Sequence, residues 1–457
     1  MPQNNTHTLP RLIILTILAL EVILLYAIPR SNFVTTFSLF TGLFLLYVYI
    51  VKSESLLSFR DCIGLAILLR LVAIFSMPVL SDDYLRFIWD GEMILRHVNP
   101  YQFTPLDFIH THNVTPYLQH LYNAMNSQEY HTIYPPILQF IFTLSALTGG
   151  FSDYLPVIIM KLFIFAAELG TIRILYLLAK SYNIPERQIL WYVLNPLIIV
   201  ELTGNVHFEA ILIFFFVCFL HYLNKNKIAA AAVFWMLAVC TKMIPLMLAP
   251  LIIRHLGLKR SILFGSIAAA IGVLLFLPFF NWHLVKDIGA SLHLFFHLFE
   301  FNASVFYFIR WIGYFYVDYD IIEQVTPVLT IISFILIITV SFWPAKNYSF
   351  IERSLWIFSI YFLLSTMVHP WYASTLILLS AFSRFRYPIV FSLLIMLSYY
   401  PYSMKEYNEE TGLWWIIVEY GLLFAYIAWE ILFLRKRLND LGTKEVTNDP
   451  ADHRASY

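Results

Sequence analysis

The 457 residues are 60% hydrophobic and only 13% charged, against about 45–50% and about 25% in soluble domains. No soluble fold hides that excess, so lipid must solvate much of the surface. Lys and Arg together number 29, as do Asp and Glu, which leaves no basic field for nucleic acid.

A bilayer core of about 30 Å takes roughly 20 apolar residues in a helix, and the chain supplies such runs in series. The first is 10–29. Its stretch Leu12 to Ile28 lacks a small-residue cleavage site and carries Glu21, so it reads as a retained helix rather than a signal peptide. It is followed by 33–51, 61–80, 156–179, 188–203, 208–224, 228–253, 260–280, 325–344, 353–370 and 413–434, with 135–150, 372–383 and 387–401 as shorter, ambiguous runs. The fold class is therefore all-α, a polytopic membrane protein of about 11–14 transmembrane helices. One domain spans 1–434, and the polar tail 435–457 is expected to be cytoplasmic and disordered. Cys62, Cys218 and Cys240 lie far apart in apolar runs and read as small core residues.

Lys and Arg in short loops set the orientation. Lys52 with Arg60, Lys225 with Lys227, Arg254 to Arg260, Lys346 with Arg353, Arg384 with Arg386, and Arg435 to Arg437 all read as cytoplasmic. That places the loop 81–134, and with it 281–324 and 401–412, on the extracytoplasmic side. Two places resist. Lys180 and Arg187 are both inside only if 135–150 does not cross fully or 156–179 is broken. The run 228–253 has cytoplasmic charge at both ends and is interrupted at Thr241-Lys242-Met243-Ile244-Pro245. A re-entrant helical pair with Lys242 at its outward tip satisfies both ends.

The long loop opens with SDDYLRFIWDGEMILRHVNPYQFTP. At about 100° per residue, Asp83, Arg86, Asp90 and His97 fall within an arc of roughly 60°, beside an apolar face that includes Tyr84, Phe87 and Ile88. This predicts an amphipathic juxtamembrane helix lying at the membrane surface, capped by Ser81 or Asp82 and ended by Asn99-Pro100. As bare charges these residues also read as caps and helical ion pairs. The setting argues for more, because a chain with no other sizeable soluble part has few places to hold a polar site. The loop further contains Asp107, His110, His112, His120 and His131 before Tyr134-Pro135-Pro136. Their spacing lacks the helical pair of a histidine metal site, so neither a metal nor another cofactor is expected.

The run Ser81 to Gly91, with Asn99-Pro100-Tyr101 and Tyr134-Pro135-Pro136, resembles the GT-C class of integral-membrane glycosyltransferases, in particular bacterial polyprenyl-phosphate-mannose-dependent mannosyltransferases and their GPI-anchor relatives. The resemblance implies an acidic catalytic base at the head of the first long external loop. By position that residue is Asp83, with Asp82 beside it as the alternative. The likeness is specific around 81–101 and 134–136 and thin elsewhere. In many members the catalytic loop follows the first helix, whereas here three helices precede it.

Other polar groups interrupt apolar runs, where they are costly. His207 and Glu209, in a short turn, are candidates for binding sugar hydroxyls or phosphate, with a plain solvated turn as the other reading. His369 heads a Pro-Trp-Tyr cluster that includes Tyr372. Lys242 and Arg310 are cations on the same predicted side, and snorkelling also accounts for Arg310. Glu21, Arg70, Lys161, Glu168, Arg173 and Glu201 read as pairs within and between helices.

The expected reaction is inverting transfer of a sugar, mannose first, from a polyprenyl-phosphate donor to an extracytoplasmic glycan or glycolipid. Asp83 would serve as base, with Arg86, Asp90, His207, Glu209, Lys242, His369 and Tyr372 around the substrates. No Gly-rich phosphate loop is present, which fits a lipid-linked donor. The expected location is a bacterial inner membrane, with the site facing outside. Two rivals are a flippase or transporter of a lipid-linked sugar, which needs polar groups at mid-depth, and a ligase or polymerase, which places its large loop late.

Overall fold

In a computed structural model of the chain, residues 8–281, 289, 299–344, 347–404 and 409–447 are described, the side chains of the last stretch over 413–434. Helices dominate, and no strand occurs among the described residues. The protein is an all-α multi-pass membrane protein.

The N-terminal helices are α1 (Thr8–Tyr26), α2 (Phe33–Lys52) and α3 (Phe59–Ile74). Local chemistry starts them: Asn32 caps α2, and Ser58 with Asp61 forms a capping box on α3. The loop region carries α4 (Asp83–Leu95), α5 (Pro105–Thr111) and α6 (Pro116–Ala124). Thr104-Pro105 and Thr115-Pro116 each place a capping hydroxyl before a proline at the first helical position. The chain returns through α7 (Pro136–Ala146) and α8 (Tyr154–Ser181). A short α9 (Leu190–Val193) and a π-helical segment Ile198–Gly204 lead into α10 (Glu209–Asn224). Then follow α11 (Ile228–Val239), α12 (Ala249–Leu256) and α13 (Leu258–Phe276). The C-terminal part comprises α14 (Val305–Gly313), α15 (Ile322–Phe342), α16 (Phe350–Leu364), α17 (Ala373–Ser380), α18 (Tyr387–Leu394) and α19 (Glu409–Thr447).

Among the described residues, six helices are long and apolar enough to cross a membrane singly: Thr8–Tyr26, Phe33–Lys52, Tyr154–Ser181, Leu258–Phe279, Ile322–Phe342 and Leu413–Leu434. The other apolar runs, which raised the expected number to about 11–14, are broken into shorter pieces. The segments Ile198–Gly204 and Glu209–Asn224 meet at 113°. α7 has 11 residues, about 16 Å at 1.5 Å per residue, roughly half a bilayer core. α8 is unbroken, so of the two conditions stated for Lys180 and Arg187, a broken 156–179 is not met, and α7 is short. The run 228–253 breaks at Cys240 to Met243 into α11 and the Ile244–Leu256 limb, each too short to cross alone. Lys242 thus sits in a break between two short helices, where the sequence interruption at Thr241 to Pro245 lies. α19 continues to Thr447, so 435–447 is helical backbone where disorder is expected, and 448–457 lies outside the described residues.

Of the polar groups expected to pair inside the bundle, Arg70, Glu168 and Lys161 find partners, whereas neither carboxyl oxygen of buried Glu21 has one among the described residues. Arg70 Nη2 and Nε donate to Glu168 Oε2 at 2.7 and 3.0 Å, and Tyr192 donates to Oε1 of the same carboxylate at 2.7 Å. Lys161 donates to the carbonyls of Ala73 and Ser76 at 2.9 and 2.6 Å, satisfying acceptors at the end of α3.

α4 differs from the expected surface helix. Leu85 to Met93 are all buried, including Arg86 and Asp90, because α4 is sandwiched between α6 and α7 rather than lying on lipid. Gly91 makes this possible: a Cβ there would sit 2.2 Å from the carbonyl oxygen of Phe142 on α7. His97 does not share the helical face, since the helix ends before it and its φ is 58°.

Candidate active site

Four chain breaks meet at one end of the bundle: the start of α4, the turn before α10, the tip between α11 and α12, and the segment after α16. They enclose a cavity of about 600 Å³. Asp83, Arg86, His207, Glu209, Lys242, His369 and Tyr372 all line it. Its remaining wall divides by chemistry. Asn126, Ser127, His131 and Thr132 form a polar side, whereas Met243, Ile244, Leu246 and Met247 form an apolar side along the segment before α12.

Asp83 is the first residue of α4. Its backbone N–H donates to Ser81 Oγ at 3.3 Å, and its carboxylate has no hydrogen bond or ion pair among the described residues. Burial pushes this carboxyl above the usual carboxylate range; His207 and Lys242 oppose the shift, and Asp82 and Glu209 add to it. A carboxylate so placed is a stronger base than one in water. Asp82, by contrast, accepts from Arg30 Nη2 at 2.6 Å and does not line the cavity. Arg30 also lies 4.7 Å over the Tyr402 ring. The second of the two adjacent carboxylates is therefore the one that faces substrate space.

Arg86 and Asp90 form a different unit. Arg86 Nε donates to Asp90 Oδ1 at 2.8 Å, and its Nη1 donates to the carbonyls of Ser127 and Tyr130 at 2.9 and 2.8 Å. Gln139 supplies Asp90 Oδ2 with a further bond at 3.1 Å. Asp90 is fully buried and lies outside the cavity lining. The pair pins the loop 127–130 onto α4; of the two, Arg86 alone reaches the cavity, with its Nη1 donors spent on the loop.

Lys242 is ion-paired with Glu209, the first residue of α10, and its ammonium lies 4.2 Å over the Tyr372 ring. The break between α11 and α12 is thus fixed to α10 by charge and to the segment after α16 by a cation–π contact. His369 sits in that segment, between α16 and Pro370. Its ring stacks on Phe301 at 4.6 Å and on Trp371 at 4.4 Å, and Trp371 stacks on His207 at 3.5 Å. Burial, with Lys242 and His207 nearby, pushes the His369 imidazole down to about 3. It is therefore a neutral ring, not a third cation. Arg310, the other cation considered, donates to Glu300 at 2.5 Å and lies outside the cavity lining.

Several residues that hold the site escaped sequence reading. Phe301 pairs with the segment after α16, accepting from Val368 N at 2.8 Å and donating to Thr366 O at 3.0 Å. Asn302, at φ 51°, donates to Glu419 at 2.8 Å, so α19 anchors this wall. Glu419 stands alone in an apolar run, and its partner lies 117 positions away. Among the described residues no group of three His, Cys, Asp or Glu side chains is arranged to hold a metal.

The arrangement supplies a carboxylate unpaired among the described residues, a lysine on the same cavity, and an amphipathic chamber in a membrane bundle. A family model described as alpha-(1->6)-mannopyranosyltransferase, N-terminal domain, matches residues 15–257. That is more than half of the chain and contains the whole of α4, the His207–Glu209 turn and Lys242. The chain belongs to this family and is a membrane mannosyltransferase. No curated protein matches it.

Proposed function

We propose that this member of the alpha-(1->6)-mannopyranosyltransferase family moves mannose from a polyprenyl-phosphate donor to a hydroxyl of an extracytoplasmic glycan or glycolipid, with inversion. Asp83 takes the hydroxyl proton as the acceptor oxygen bonds to the anomeric carbon. The bond from that carbon to the phosphate oxygen breaks, and polyprenyl phosphate leaves with the electron pair. From a β-linked donor, inversion gives an α-mannoside, in keeping with the family's name.

The observation that carries this reading is the free Asp83 carboxylate facing the same cavity as Lys242 and an apolar wall from Met243 to Met247. The leaving phosphate needs positive charge rather than an acid, and Lys242 supplies it once the anion competes with Glu209. Arg86 adds to the field while holding the loop. No divalent metal takes part. The apolar limb suits an isoprenoid chain, and the polar side at Asn126 to Thr132 suits a glycan acceptor. The Lys and Arg bias supports a site that faces outward, and the membrane in this reading is a bacterial inner membrane.

The test is transfer by purified protein from synthetic polyprenyl-phosphate mannose, polyprenyl-phosphate glucose and a nucleotide-linked mannose. The expected result is product from the first alone. Product from the nucleotide sugar, with none from the lipid, would overturn the donor assignment.

A further inference from the structure

α14 (Val305–Gly313) carries different chemistry on its two faces. Phe306, Tyr307 and Arg310 share one face, by their spacing of three and four, and are buried. Phe306 and Tyr307 cluster with Ile322 and Leu329, which lie in the first two turns of α15. Arg310 donates at 2.5 Å to Glu300, a residue of the cavity wall. The opposite face is exposed. It presents Phe308 and Trp311, and the turn after α14 continues it with Phe315, 70% exposed, and Tyr316, 83% exposed. The ring centroids of Phe308 and Trp311 are 6.2 Å apart, and those of Trp311 and Phe315 5.2 Å apart. These rings therefore form one contiguous strip, and an exposed apolar strip of this kind marks a contact surface.

Two observations identify what covers it. The first is continuity. α15 is long and apolar enough to cross the membrane, and its exposed residues Ile331, Phe334 and Ile335 face lipid. Leu329 stands seven residues into α15 from Ile322, about 10 Å along the helix at 1.5 Å per residue. Because α14 packs no deeper than Leu329, its strip adjoins the lipid-facing surface of α15 where the crossing begins. The second is a change of side-chain type with depth. The exposed face of α15 is aliphatic apart from Phe334, whereas Trp311, Tyr316, Tyr319 and the exposed carboxylates Asp318 and Asp320 gather around α14. Hydrocarbon takes the first set, and the boundary between headgroups and acyl chains takes the rings with polar tips. We propose that α14 and the turn to Tyr319 are an interfacial anchor. The helix lies along the bilayer surface with Phe308, Trp311 and Phe315 in the headgroup–acyl boundary, and the Arg310–Glu300 pair ties that depth to the cavity wall. Its partner is the lipid surface itself.

Fluorescent labels on single introduced cysteines test this in the full-length protein reconstituted in vesicles. The variants are Phe308→Cys and Phe315→Cys, with Ile331→Cys as the reference for depth. Wild type, whose three cysteines are buried, is the labelling blank. The quenchers are nitroxide lipids, with the nitroxide near the headgroup or deep in the acyl chain, and aqueous iodide. At 308 and 315 the loss of fluorescence is expected to be greater with the shallow lipid than with the deep one, and the order at 331 is reversed. Melting in detergent checks folding, and Trp311→Cys or Tyr316→Cys replaces a variant that does not fold. Quenching of 308 and 315 by iodide with none by either lipid overturns the assignment, as does the deep order seen at 331. Self-quenching between labelled copies that persists at high lipid dilution, without lipid quenching, also overturns it and gives the strip to a second copy of the chain. None of these readings uses a sugar donor, so they are independent of the transfer reaction.

Discussion

Asp82 is bound to Arg30 at 2.6 Å, and this contact separates two neighbouring carboxylates that sequence leaves equivalent. One is committed to the link between the α1–α2 connection and the head of α4; the other is left to the cavity. The Arg30 and Asp82 side chains are 33% and 39% exposed, so their pair contributes only about 0.2–1 kcal/mol. Asp82→Asn and Arg30→Gln are therefore expected to lower the melting temperature slightly and to leave transfer within about threefold of wild type, since a shift of that size is under a kcal/mol. Rate and melting measured on the same preparations check this.

Lys242 sits between Glu209 and the Tyr372 ring. Removing its charge in Lys242→Met should raise the KM for the lipid donor by about 10- to 100-fold, the worth of a charge-assisted bond. Adding Glu209→Gln removes the orphaned carboxylate and should restore stability without restoring donor affinity. Because the lysine supplies the positive charge, a chelator should leave the rate unchanged. Initial rates against donor concentration, with and without chelator, read all three outcomes.

The pH profile follows from Asp83. A base must be ionised to act, and burial raises this group above the ordinary carboxylate range. Activity is therefore full on the alkaline side and falls as pH drops through the raised value, so the acid limb of kcat/KM lies above that of a solvent-exposed carboxylate. His369, pushed down to about 3, stays neutral across this range. His369→Asn should lower the rate through lost stacking yet leave the limb where it is. A limb that moves with His369 would assign the titration to the wrong group.

Two core substitutions test how the site is held. Gly91→Ala forces α4 away from the Phe142 carbonyl and should cost about 1–3 kcal/mol, as overpacking does. Arg70→Leu strands the Glu168 carboxylate, both side chains being fully buried. Breaking such a pair costs about 3–5 kcal/mol, and replacing Glu168 as well should recover most of it. Thermal unfolding in detergent, followed by intrinsic fluorescence, separates the single variants from the double.

Much of the site was legible because membrane burial makes polar residues conspicuous. Asp83, His207, Glu209, Lys242, His369 and Tyr372 each interrupt an apolar run or flank one, and the structure gathers them around one cavity. The break at 240–243 was legible too, from Lys242 and Pro245 within an apolar run. What sequence could not show was long-range pairing. The period of α4 put Arg86 and Asp90 on one face, but the loop carbonyls at 127 and 130 and the side chain of Gln139 decide what that face does. The turn at 204–207 was legible, but the shortness of the helices beside it was not, because a hydropathy reading counts each apolar run as a crossing.

The central claim is that Asp83, and not its neighbour, is the base. The most direct measurement is single-turnover transfer from polyprenyl-phosphate mannose by wild type, Asp83→Asn and Asp82→Asn, each shown to be folded and to bind donor. Asp83→Asn should lose about a hundredfold or more in the chemical step, as removal of a general base does, while Asp82→Asn keeps near-native turnover. Native turnover by Asp83→Asn, or a loss confined to Asp82→Asn, would contradict the account.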